Sequence, residues 1–164
     1  MNETFGVSIE SPQSGWMSLR LRAGGREFVA VMSHAPYDSL GDLASALASL
    51  LKGEDSVTVK WNAEPEEFDF EFASSGDDEI ALKVVRFRGH RRVKAGRRVV
   101  FSFQGSARAL CMAFWRELST LKERGEIDGF EQNWKRKFPR RELEELTKAI
   151  ESFGRETVPP SSPL

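Results

Sequence analysis

The densest grouping of chemistry-bearing side chains in this sequence is cationic. Arg86, Arg88, Arg91, Arg92, Lys94, Arg97 and Arg98 follow one another with His90 among them, and no acidic residue stands between Arg86 and Arg98. Guanidinium groups gathered in so short a span suit an oxyanion or a phosphate backbone, because each offers a planar fork of donors. Just upstream runs the opposite charge: Glu64, Glu66, Glu67, Asp69, Glu71, Asp77, Asp78 and Glu79. If the two blocks lie on adjacent strands they neutralise each other across an outer face, and that is the plainer expectation for clusters of this kind. Left unneutralised, the carboxylates would instead suit a nucleic-acid mimic or an inhibitor of a basic enzyme, through charge complementarity and steering.

A second basic cluster, Lys135, Arg136, Lys137, Arg140 and Arg141, surrounds Trp134 and Phe138. Aromatic rings interleaved with cations can stack bases and track phosphates, although the same spacing seats both rings in a core with the charges in water. Trp16, just after a turn, and Trp134, between cations, are the tryptophans placed to anchor an interface; core placement is the simpler expectation for each.

Catalytic chemistry finds little footing. His34 and His90 are the only histidines, and neither stands beside a nucleophile in a known spacing. Cys111 is the only cysteine, which excludes an intrachain disulfide and a thiolate zinc site; flanked by Leu110 and Met112, it reads as a small buried hydrophobe. Glu64 and Glu66 flank Pro65 in a turn without the spacing of a metal loop. Gly24, Gly25 and Gly105 lack the lysine and the strand-to-helix setting of a phosphate loop. No cofactor and no metal is implied.

The elements that must position these residues show in the hydrophobic periodicity. Phe68, Phe70 and Phe72 alternate with Asp69 and Glu71, the pattern of a strand with one face on a core and one in water. Residues 57–61, 80–84 and 99–103 alternate similarly, and a change of parity at Val84 and Val85 predicts a bulge or burial on both faces. With Phe70 facing Leu82, Asp69 would stand opposite Lys83. Three earlier strands are expected at 4–9, 16–22 and 27–32, the last covered on both faces and central, with a hairpin turn at Gly24-Gly25.

A leucine and alanine stripe from Leu40 to Leu51, capped by Ser39 with Asp42 and closed by Gly53, predicts the first helix. Ser106 opens a second, with Leu110, Phe114, Leu118 and Leu121 on one side and Gly125 as its stop. After Pro139 a last helix over 140–153 carries Leu143, Leu146, Ile150 and Phe153, long enough to dock on the body or on a partner. Residues 157–164, rich in proline and serine, read as a disordered tail after a single domain over 1–156.

A chain of 164 residues with 40% hydrophobic content supports one core, and a formal net charge of -1 leaves no global field that commits it to nucleic acid or membrane. The N-terminal residues carry no secretion pattern, and no run approaches the roughly 20 apolar residues of a membrane span. A cytoplasmic protein without a membrane partner is expected.

The order βββ-α-ββββ-α-α(α) therefore predicts an α+β fold, a mostly antiparallel sheet of about six or seven strands with helices on one face. In size and layout it is similar in a general way to small bacterial α+β proteins, among them immunity proteins that neutralise toxins. That likeness carries over no functional residue. The leading functional expectation is a non-catalytic binding protein with a protein partner, using the outer sheet face, with Glu67, Asp69 and Glu71 beside Arg86 to Arg98, or its C-terminal helices. A nucleic-acid-binding module using both basic clusters is the second, and a small-molecule binder or carboxylate-dependent enzyme the third. An exposed edge strand or the Leu143 to Phe153 stripe leaves room for a homodimer.

Overall fold

The structure, a computed structural model, describes residues 3–155, so the tail expected at 157–164 lies outside the described residues. Seven strands form one antiparallel sheet in sequence order: β1 Phe5–Ile9, β2 Trp16–Ala23, β3 Arg26–Ser33, β4 Ser56–Asn62, β5 Glu67–Gly76, β6 Glu79–Phe87 and β7 Arg98–Ser106. Between β3 and β4 lies α1 (Ser39–Leu51), and α2 (Ala107–Asp128), α3 (Phe130–Trp134) and α4 (Arg140–Ser152) follow β7. Within β1–β3 and within β4–β6 the links are short and can only return the chain antiparallel; the longer links, through α1 and through residues 88–97, also join antiparallel neighbours.

The phenylalanine alternation in β5 does what its period requires. Phe68, Phe70 and Phe72 all lie in the core, joined from β4 by Val59 and Trp61 and from β6 by Leu82 and Val84. Emptying the site of Phe70, which packs against Trp61 with ring centroids 5.3 Å apart, would cost about 3–5 kcal/mol. The register shifts between Val84 and Val85 where β6 meets β7, and both valines are fully buried, so the parity change in the sequence is a bulge with both faces covered. Asp69, however, pairs with Val85, and it is Glu71 that stands opposite Lys83. The hairpin turn fixes the register and it sits two residues from the one expected.

The sheet is one ladder but two bodies. β3 and β4 share only the pair Ser33 and Asn62. Beyond it β3 leaves β4 and crosses the inner side, where Phe28 meets Phe68 at 5.0 Å between ring centroids and Arg26 donates to the carbonyl of Ser102 in β7. One face of β3 is thereby open: Val29 and Val31 are about half exposed, against the expectation that both faces are covered. At Gly24 and Gly25 both φ values are positive, the geometry of a two-residue hairpin whose twist suits the strands.

Helix ends differ from the sequence reading in two places. Ser39 does not cap α1; it is the first residue of the helix, and its hydroxyl donates to the carbonyl of Lys60, tying the helix to β4. Gly125 does not stop α2, because a glycine inside a helix costs only about 1 kcal/mol. The helix runs on to Asp128 and ends at Gly129, which takes the left-handed conformation. Its start is as expected: Ser106 Oγ accepts from the backbone N–H of Ala109, and Asp78 adds a carboxylate that accepts from the N–H of Arg108. In α4, Leu143, Leu146 and Ile150 are buried and the helix packs on α1 and α2, so most of this stripe is used on the body. No helix among the described residues is long and apolar enough to cross a membrane.

Candidate interaction surface

Because the phenylalanines of β5 take the inner face, Glu67, Asp69 and Glu71 must take the outer one. After β6 the chain turns back over that face through residues 88–97, with a 3-10 turn at Lys94–Gly96. From this loop Arg92 reaches down onto the carboxylates. Its Nη2 donates to Asp69 Oδ1 at 2.8 Å and its Nε to the same oxygen at 3.0 Å, while Nη1 donates to Glu67 Oε1 at 2.8 Å. The guanidinium lies between two rings, 5.7 Å from the centroid of Tyr37 and 5.5 Å from that of Phe87. Tyr37 closes the network by donating its hydroxyl to Glu67 Oε1 at 2.7 Å.

The expectation of a wet acidic face fails at its centre. Glu67 and Asp69 are 3% and 6% exposed, buried beneath the loop together with Val85 and Phe87. Two carboxylates at such depth are tolerable only with a charge-assisted partner, and Arg92 supplies it. Burial by itself pulls the pKa of Arg92 down, but hydrogen bonds to Asp69, Tyr37 and Glu67 more than reverse this, leaving it above its ordinary value. The Tyr37 phenol is raised, first by burial and then by its bond to Glu67. Each carboxylate already has a donor, so the cluster holds a loop in place; it offers no free base.

The other cations divide cleanly. Arg97 pairs with Glu71 at 2.6 Å and Arg86 with Glu66 at 3.3 Å. Among the described residues Arg88, Arg91, Lys94 and Arg98 have no ion-pair partner. Arg98 even stands opposite Arg86 in the ladder, a like-charge pair that a fold selected for stability alone would avoid. Arg88 and Arg91 line a hollow of about 330 Å³ whose walls include Phe87, Val93 and Ala95. Val93 and Val99 are 57% and 46% exposed beside them. The acidic and basic blocks thus meet in part, and four cations of the loop and its flanks stay outside the ion pairs.

The second basic cluster is built differently. Trp134 is fully buried, as core placement requires, with its indole N–H unpaired, and it cannot serve as an exposed anchor. Phe138 is buried against Phe130. Arg136 turns inward along the surface, donating to the backbone carbonyl of His34 and, at 3.0 Å, to that of Pro36. Lys135 ends α3 at a φ of +64°. Trp16, partly exposed at the start of β2 opposite Ser33, stays available at a surface. The pieces of this cluster do not converge on one face with aromatic rings.

Elsewhere the chemistry is thin. No group of three or more histidine, cysteine, aspartate or glutamate side chains among the described residues is placed to hold a metal ion. Burial, and after it Asp78, pushes the Cys111 thiol up to about 12, so it is no nucleophile. Sequence reasoning passed over Tyr37, which stands in the loop before α1; its being the only tyrosine gave no signal of contact with residues thirty and more positions away. No family model, curated protein or solved structure matches the chain.

Proposed function

We propose that this chain is a non-catalytic binding protein whose contact surface is the loop between β6 and β7, and that its partner is a protein presenting an acidic surface. The observation that carries the reading is the division of labour among the arginines. Arg92 fixes the loop from below, at the cost of burying three charges, while Arg88, Arg91, Lys94 and Arg98 are held outward without counter-ions. A loop that served only to cover β5 would need the clamp and not the surplus. Arginine is enriched at protein interfaces, and cations without counter-ions speed encounter with an acidic partner. The mode of action is steric occlusion with charge complementarity, as an inhibitor works.

A nucleic acid is the second reading, and one observation weighs against its single-stranded form. The exposed large hydrophobics beside the loop are Val93, Val99 and Val100, so no exposed ring stands there on which a base could stack. The decisive experiment compares capture from native lysate by the wild-type chain and by Arg88→Glu/Arg91→Glu, with a mobility-shift assay on duplex DNA and RNA alongside. A stoichiometric protein partner that is released by salt and lost with the variant supports the reading. Equal capture by both chains, or a mobility shift that vanishes with the variant while no protein is captured, overturns it.

A further inference from the structure

Of the cations around the β6–β7 loop, Arg88 and Arg91 share the walls of one hollow of about 330 Å³, completed by Phe87, Val93, Ala95 and Gly96. No carboxylate stands in those walls. The hollows along α2 differ, since each has acids beside its cations, Glu131, Glu144, Glu3 and Glu151 among them. The acids of β5 and of the turn before it are taken elsewhere: Glu67 and Asp69 by Arg92, Glu71 by Arg97 and Glu66 by Arg86. Glu64, in the turn whose Pro65 carbonyl lies beside Gly89, is not in the walls either. Neither the Arg88 nor the Arg91 guanidinium has a hydrogen-bond or ion-pair partner among the described residues.

The donors open to a ligand are therefore side-chain forks. The 3-10 turn uses its own N–H groups, Gly96 donating to the carbonyl of Val93 and Arg97 to that of Lys94. A guanidinium offers two parallel N–H bonds to a group with two oxygens. A carboxylate fills one such fork and carries one charge. A phosphate monoester has three acceptor oxygens and nearly two charges at neutral pH, so it can engage two forks and match two cations. Phe87, Val93 and Ala95 give apolar contact to whatever bears the phosphate, a contact that inorganic phosphate leaves unused. The site is also ordered in advance, because the bonds from Arg92 to Glu67 and Asp69 hold the loop from below and lower the entropy lost on binding.

We propose that this hollow receives a phosphate monoester, presented by the partner protein on a phosphorylated side chain, with Arg88 and Arg91 as its two forks. Clusters of arginine are a general means of reading phosphorylated segments. The inference rests on the reading of the loop as the contact surface, and it narrows the partner to one whose acidity is acquired by modification.

The test needs no partner. The isotope-enriched full chain is titrated at constant ionic strength with a capped tripeptide bearing phosphoserine at its centre, with the same peptide bearing glutamate, and with inorganic phosphate, while the N–H resonances of residues 88–96 are followed. The phosphoserine peptide should give saturable shifts there. The glutamate peptide should bind about tenfold more weakly, the value of one further charged hydrogen bond, and inorganic phosphate should bind more weakly than the phosphoserine peptide as well. Arg88→Gln with Arg91→Gln should abolish the shifts. Lys94→Gln with Arg98→Gln, the same change of charge outside the hollow, should keep them, and the spectrum of each variant shows that it is folded. The proposal is overturned by the absence of saturable shifts, or by glutamate peptide or inorganic phosphate binding as tightly as the phosphoserine peptide. Equal loss in the two variants overturns it too, since the loop then collects anions by net charge. Peptide binding by a chain that captures no protein from lysate supports the hollow as a phosphate site and overturns only the reading above.

Discussion

Arg92 and Arg136 each stand in a run of cations, yet the first closes on two carboxylates and the second on two backbone carbonyls. The carboxylates beneath Arg92 are buried, so its charge is structurally required. The carbonyls beneath Arg136 are dipoles that water can serve instead. Around Arg92 further cations remain without partners; around Arg136 the aromatic neighbours have gone into the core. A run of basic residues in a sequence is thus uninformative about use until the groups under each member are known.

Removing each clamp tests that contrast, and Arg92→Met should have the larger effect. It strands Glu67 and Asp69 in a buried site, a loss of about 3 kcal/mol in urea unfolding at neutral pH. Arg92→Met in a chain that also carries Glu67→Gln and Asp69→Asn should lose much less; an equal loss in both backgrounds would mean the carboxylates are not the reason for the clamp.

Arg136→Met should cost about 1.5 kcal/mol, the scale of charged hydrogen bonds to groups that water can reach. A loss matching that of Arg92→Met would erase the distinction. The single tyrosine sharpens the comparison further. Phenolate absorbance should report Tyr37 titrating above the ordinary value of 10.0, first because of burial. Its contribution to stability is present below pH 10 and lost as pH rises through the raised value. Arg136→Met should leave that titration unchanged, and a midpoint at 10 in the wild type would show that the site is open to water. Smallest of all is Arg88→Ser with Arg91→Ser, expected within about 0.5 kcal/mol of wild type because neither side chain has an ionic partner; a larger loss would show that these charges hold the fold.

The sheet was legible because period-two alternation answers to burial alone: the pattern at Phe68, Phe70 and Phe72 admits one inner face. The bulge at Val84 and Val85 was legible for the same reason. Helix ends were less so, since Ser39 and Gly125 have the right chemistry for a cap and a stop, and only the chain's path shows that one serves Lys60 and the other lies mid-helix. The clamp was half legible. Both charge blocks stood in the sequence, but the fate of Asp69 depended on a loop folding over a strand, which no local pattern encodes. The burial of Trp134 could be expected from its spacing with Phe130 and Phe138; the part played by Tyr37 could not be expected at all.

The single pair that joins β3 to β4 has a dynamic consequence. By position β3 is the third strand of seven, and a strand so placed ordinarily exchanges its amide hydrogens only when the whole domain opens. Here the amides of β3 that point away from β2 have no neighbour past Ser33, so deuterium should enter them through small local excursions while Phe70 and Leu82 in β5 and β6 remain protected. Kinetically, the middle of this sheet contains a margin.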